Sequence, residues 1–160
     1  MRRFEKISFN QFRKDIEDNE DLYNEYLLPS RDTFYAAGYD FHAIKDFVLL
    51  PGDRIKIPTG VRVRMGNDEV LFLCARSSQG FIYNVRLCNQ IGIIDSDYYN
   101  NEVNEGHIWI CLQNEGDKIY TVKKGDGIAQ GVFSKYLLTD DDEKHSKVKR
   151  KDNDDYLKRR

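Results

Sequence analysis

Asp53–Ile57 (DRIKI) and Val61–Met65 (VRVRM) alternate between polar and apolar residues, from Arg54 onward in the first. That period of two predicts strands with one wet face. Val70–Ala75 (VLFLCA) and His107–Gln113 (HIWICLQ) are almost continuously apolar, which predicts strands covered on both faces. Turn signals separate these runs at Pro51-Gly52, Thr59-Gly60, Gly66-Asn67-Asp68, Asn114-Glu115-Gly116 and Lys124-Gly125-Asp126. Many short strands at such spacing predict an all-β sandwich or barrel rather than a βαβ sheet. The first thirty residues follow another period. Ser8 and Gln11 form an S-x-x-Q capping box, and Phe9, Phe12 and Ile16 recur at helical spacing, predicting a helix of about ten residues. Leu22, Tyr26 and Leu27 suggest one or two further helical turns, ended by Pro29.

The pattern fails after Thr139. TDDDEKHSKVKRKDNDDYLKRR is made of acidic and basic blocks, with only Val148, Tyr156 and Leu157 as apolar anchors. Such a segment buries too little surface to offset its ordering entropy, so a disordered C-terminal tail is expected. The organisation expected is therefore a helical extension over residues 1–30, a β domain over 31–138 and a charged tail over 139–160.

Composition narrows the function classes. A chain of 160 residues that is 40% hydrophobic and 12% aromatic is globular and long enough to bury one core. Its net charge of −2 gives no reason to expect nucleic acid or an acidic membrane as partner. The N-terminal residues MRRFEKISFNQF lack the apolar centre of a signal peptide, and no run approaches membrane-spanning length. Cys74, Cys88 and Cys111 are odd in number, lack CxxC spacing and sit in apolar runs. They read as buried thiols of a cytoplasmic protein rather than a metal trio.

Four polar clusters interrupt the strands: AAGYDFHA (Ala36–Ala43), ARSSQGF (Ala75–Phe81), NQIGIIDSDYYN (Asn89–Asn100) and GDGIAQGVF (Gly125–Phe133). Each has an ordinary explanation in isolation. Asp40 suits a turn, ARSSQGF suits a strand running into a serine-capped helical turn, and Gln130 could bond a neighbouring backbone.

Their order and spacing together resemble the trimeric deoxyuridine triphosphatases, the dUTP pyrophosphatase family, over most of the chain from Ala36 to Phe133. The resemblance implies a dUTPase-like β-barrel or jelly-roll, a homotrimer, and hydrolysis of dUTP to dUMP and pyrophosphate, which limits uracil in DNA. By resemblance, Asp95 orients the water that attacks the α-phosphorus. A carboxylate suits that task because it can accept the water's proton. Tyr98 lies against the deoxyribose and leaves no room for a 2′-hydroxyl. Asn89 stands at the mouth of the uracil pocket, where hairpin backbone around Gly92 and Ile94 reads the pyrimidine edge. Arg76, Ser77, Ser78 and Gly80 match the phosphate-contacting motif, with Gln130 joining them from the fourth cluster. Asp40 and Asp97 are supporting residues, Asp97 reading better as a brace for its hairpin. The resemblance also implies Mg²⁺, held through substrate phosphates and water rather than by a protein cage. His42, His107 and His145 fall on no family catalytic position.

The chain departs from the family in three places. The family's fifth motif is a glycine-rich arm that closes over the nucleotide, whereas HSKVKRKDNDDYLKRR contains no glycine. Phosphate-wrapping backbone needs glycine, so slower turnover and weaker affinity are expected, Tyr156 and its basic neighbours being a poor substitute. Gly127 replaces an arginine found in many members and so removes a possible salt bridge to Asp40. Tyr99-Asn100 replaces the residue-glycine pair that ordinarily follows D-x-D-Y. Two other functions compete: a nucleotide-binding regulatory protein that no longer turns over substrate, and a relative of the dCTP deaminases. The deaminases use a glutamate in the third motif, where this chain has Asp95.

Overall fold

The structure is a computed structural model and describes residues 1–142. The tail from residue 143 onward, including Tyr156, lies outside the described residues, as does His145. Eleven short strands and three short helices make up the described chain, an all-β architecture of packed sheets as expected.

The chain opens with strand β1 (Arg3–Lys6), helix α1 (Phe9–Asp15) and helix α2 (Glu20–Glu25). The Ser8 hydroxyl accepts the Gln11 N–H at 3.1 Å, so half of the capping box forms. The other half does not, because the Ser8 N–H donates to Glu105 and Gln11 turns to Asp15. Phe12 stacks on Tyr26 at 5.6 Å, and Phe9 and Tyr23 complete a satellite core with Ile7, Leu22 and Ile44. Strand β1 was not legible from periodicity. It pairs antiparallel with β5 (Val61–Arg64), so the extension is stitched to the sheet system by backbone hydrogen bonds.

The β domain contains β2 (Tyr39–His42), β3 (Phe47–Leu49), β4 (Arg54–Pro58), β6 (Glu69–Cys74), helix α3 (Ser77–Tyr83), β7 (Val85–Leu87), β8 (Gly92–Asp95), β9 (Trp109–Asn114), β10 (Tyr120–Val122) and β11 (Gly127–Lys135). The largest sheet has the order β2-β11-β6-β8, and a three-stranded sheet has the order β4-β9-β7. Two-stranded pairs β1-β5 and β10-β3 flank them. In β5, Val61 and Val63 enter the core while Arg62 and Arg64 face outward, the alternation the sequence announced. The expectation for His107–Gln113 needs correction. Ile110 and Leu112 are buried, but Trp109, Cys111 and Gln113 on the other face are half-buried, Trp109 and Cys111 because they open onto a cavity rather than a second layer. The three cysteines are likewise half-buried, with the sulfur of Cys88, just after β7, 2.9 Å from that of Cys111 on β9.

Candidate active site

Strand register brings three of the clusters to one end of the large sheet. Gln130 on β11 lies between Asp40 on β2 and Cys74 at the end of β6. Arg76 follows Cys74 by two residues, and its Nε lies 3.1 Å from Asp40 Oδ1. Its Nη2 is 3.8 Å from Asp32. A Cβ on Gly127 would sit 2.6 Å from Arg76 Nη1, so the absent side chain is what admits this guanidinium. Asp40 therefore has its cationic partner, supplied by Arg76. Gln130 donates to the Ala75 carbonyl at 3.2 Å, and its amide packs against Gly38, where a Cβ would lie 2.2 Å from Oε1.

Helix α3 carries the serines. Arg76, not a serine, is the N-cap residue, and Ser77 and Ser78 form the exposed first turn. The helix start and both exposed hydroxyls can meet an anion there. Gln79 was not recognised in the sequence. It is 1% exposed and holds the turn in place. Its Oε1 accepts the Arg76 N–H at 2.7 Å, while its Nε2 donates to the Ile128 carbonyl at 2.7 Å and to the Tyr120 hydroxyl at 3.1 Å. A groove of about 410 Å³ runs past Arg76, Ser77 and Gly80 to Gln90 in the connection between β7 and β8.

The third cluster is built on β8 and its flanks. Asn89, Gly92 and Ile94 line a cavity of about 570 Å³, with Trp109 and Cys111 opposite and Arg54 and Lys56 contributing positive charge. Gly92 is held close: a Cβ would lie 3.0 Å from that of Leu73. From Gly92 to Asp95 the strand advances about 10 Å, roughly the reach of a nucleoside. Asp95 and Asp97 are exposed and flank Ser96 in a 3₁₀ turn, Ser96–Tyr98, that carries Tyr98. Tyr98 is 7% exposed, so only a small part of its ring can meet a ligand. Its hydroxyl donates to the His107 carbonyl at 2.9 Å and accepts from Asn104 Nδ2 at 2.8 Å.

Two of these groups do not meet within one chain. Asp95 pairs with Val70 and Gln130 with Cys74, so the two levels are four residues apart along β6. That is about 13 Å of strand rise, and Arg76 lies farther still. The triphosphate of a nucleotide whose α-phosphorus sat at Asp95 would not reach Arg76 of the same chain.

His107 is another residue whose place the sequence did not reveal. It is fully buried, its Nε2 accepting the Gly60 N–H at 2.8 Å and its Nδ1 donating to Asp15 at 2.5 Å. Burial raises the Asp15 pKa, but hydrogen bonds from His107 and Gln11 outweigh it and hold the carboxyl below its ordinary range. Among the described residues no group of three or more His, Cys, Asp or Glu side chains forms a metal cage. No helix among them is long and apolar enough to cross a membrane.

Comparison with known proteins places this geometry in context. The family model described as dUTPase matches residues 24–155. The deoxyuridine 5'-triphosphate nucleotidohydrolase of Lactococcus lactis is 40% identical over 123 residues, covering 77% of this chain and 82% of the relative. The enzyme of that name from Desulfitobacterium hafniense is 39% identical over 109 residues, covering 66% and 68%. The crystal structure of dUTPase from Streptococcus mutans superposes with a TM-score of 0.68 at 36% identity, covering 86% of this chain and 98% of that one. The dUTPase of Staphylococcus bacteriophage 80alpha, with dUPNHPP, shares the fold with a TM-score of 0.64 at 19% identity, covering 88% of this chain and 85% of that one.

Proposed function

The chain belongs to the dUTPase family, and on that premise we propose that it hydrolyses dUTP to dUMP and pyrophosphate, as the names of its relatives describe for them. The observation that carries the reading is the arrangement of the four clusters on two sites that fit one nucleotide. In this reading base and sugar would lie along β8 from Gly92 to Asp95, and the triphosphate would meet the turn where Asp40 holds Arg76.

In this mechanism the backbone around Asn89, Gly92 and Ile94 receives uracil and selects against a 5-methyl group. The exposed edge of Tyr98 meets the deoxyribose face and excludes a 2′-hydroxyl. Asp95, beside the α-phosphorus, accepts a proton from the attacking water and aims its lone pair, a general-base contribution of about 10²–10⁴ in rate. Arg76, Ser77, Ser78, Gly80 and Gln130 bind the phosphate oxygens, and Asp40 keeps the Arg76 guanidinium oriented. Asp97 braces the turn that carries Tyr98.

The separation of Asp95 from Arg76 along β6 supports a homotrimer in which the phosphate-binding turn of one copy completes the β8 site of another. Among the described residues no three or more His, Cys, Asp or Glu side chains gather into a cage, so Mg²⁺, which keeps several waters, would be held mainly by the substrate's phosphates and would supply charge neutralisation there. A cytoplasmic location fits cysteines that remain free thiols even where two lie side by side.

The test is pyrophosphate release from dUTP with Mg²⁺, with dTTP, UTP and dCTP as controls and Asp95→Asn alongside. Selective dUTP turnover, falling at least a hundredfold in Asp95→Asn while dUTP still binds, is expected. Absence of dUTP turnover by the wild-type chain, or full activity in Asp95→Asn, refutes the reading.

A further inference from the structure

Tyr98 is held by a loop with no counterpart in the catalytic roles above. Residues 98–107 fold back on themselves. Asn101 Nδ2 donates to the Tyr98 carbonyl at 2.8 Å and to Asn104 Oδ1 at 2.8 Å, and the Gly106 N–H also reaches Asn104 Oδ1 at 3.1 Å. Asn104 is 6% exposed, so its amide is fixed on all sides before it donates to the Tyr98 hydroxyl. The loop accepts left-handed backbone at Asn100, Glu105 and Gly106 to close this network. A Cβ on Gly106 would lie 2.7 Å from the Tyr98 carbonyl, so the return of the chain passes directly against the tyrosine.

The same loop is tied to the N-terminal segment at three points. The Tyr99 hydroxyl donates to Glu5 at 2.9 Å, the Ser8 N–H and hydroxyl donate to Glu105 at 2.8 and 2.5 Å, and His107 donates to Asp15 at 2.5 Å. The last contact bears on Tyr98 most directly. The imidazole, clamped between Gly60 and Asp15, immobilises the residue whose carbonyl accepts the Tyr98 hydroxyl.

We propose that Asn104 and His107 are positioning residues for sugar discrimination. They pin the Tyr98 ring by its hydroxyl, and α1 braces that pin through Asp15. The proposal rests on the reading that Tyr98 stands against the deoxyribose. Excluding a single extra oxygen requires a wall that does not yield by even a fraction of an ångström. A ring tethered only at Cβ can pivot, whereas one bonded at both Cβ and hydroxyl cannot. Both hydrogen-bonding capacities of the phenol are spent on this tether, one as donor and one as acceptor.

The experiment compares kcat/KM for dUTP and for UTP in the wild type, Asn104→Ala, Tyr98→Phe, the double variant, Asp15→Ala and Asp15→Asn. Asn104→Ala is expected to lower the dUTP/UTP ratio about tenfold, corresponding to the loss of one buried hydrogen bond, and Tyr98→Phe, which loses the bonds to both Asn104 and His107, to lower it at least as far. The double variant is expected to be no worse than Tyr98→Phe, since that change already deletes the link to Asn104. Asp15→Ala is expected to lower the ratio about threefold by the same route, and Asp15→Asn, which keeps an oxygen for the His107 N–H, to restore it. A purely structural role would lower Tm and leave the ratio unchanged. A dUTP/UTP ratio within twofold of wild type in folded Asn104→Ala, or additive losses in the double variant, overturns the proposal. Should Asn104→Ala not fold, Tyr98→Phe removes only the hydroxyl and decides the matter alone. Failure of the wild type to prefer dUTP would instead overturn the reading on which the proposal stands.

Discussion

Replacing Gln79 with leucine tests how the phosphate-binding turn is held. The change keeps the side-chain volume nearly constant, so little cavity forms and the cost is mainly one of lost hydrogen bonds. Three partners lose Gln79. The Arg76 N–H lies at a half-exposed helix start and can turn to water. The Ile128 carbonyl cannot. Ile128 is fully buried and sits in the register shift between Gly127 and Ala129, where β11 leaves its ladder with β2, and pairing with β6 starts only at Gln130. An unsatisfied buried carbonyl costs about 1–3 kcal/mol, and the lost bond to the buried Tyr120 hydroxyl adds about 0.5–1.5 kcal/mol. Gln79→Leu should therefore destabilise the chain by about 2–4 kcal/mol. At about 2–4 °C per kcal/mol for a chain of this size, Tm should fall by roughly 5–15 °C. Urea denaturation followed by Trp109 fluorescence measures the first figure and thermal unfolding the second, at matched protein concentration. Loss of less than about 0.5 kcal/mol, the range of an ordinary surface substitution, would show that Ile128 finds another donor and that Gln79 does not anchor the turn.

Two further outcomes follow from the same geometry. Gly127→Ala should place a methyl group against Arg76 Nη1, break the Arg76–Asp40 pair and raise the KM for dUTP about tenfold, whereas an unchanged KM would mean that Arg76 does not need this pose. Asp15 is held below its ordinary pKa in the folded chain, so its contribution to stability is present above the unfolded value near 4 and is lost as pH falls through the folded value. The stability gap between wild type and Asp15→Asn, read from urea midpoints, should therefore shrink steadily below about pH 4, and a gap that widens there would contradict the assignment.

Much of this architecture is written locally. Ser8 caps α1 because a hydroxyl three residues before an N–H is within reach of it whatever surrounds the helix. Val61 and Val63 enter the core opposite Arg62 and Arg64 because a strand's period of two leaves no other arrangement with one apolar face. The four polar clusters, with Asp40, Arg76, Asp95, Tyr98 and Gln130 in order, were visible because chemistry constrains residue type at short spacing. What only the tertiary structure decided depends on partners distant along the chain. RFEK carries no strand signature of its own and becomes β1 by pairing with β5, some sixty residues away. Gly127 reads as a lost salt bridge until the guanidinium of Arg76 is found in the space it leaves. His107 looks incidental, and Gln79 looks like a spacer between a serine pair and a glycine. Each is fixed by hydrogen bonds to segments 40 to 90 residues away, Gln79 to Tyr120 and Ile128 and His107 to Gly60 and Asp15. A buried polar side chain takes its role from whichever donor or acceptor the fold brings to it, and no local pattern records that choice.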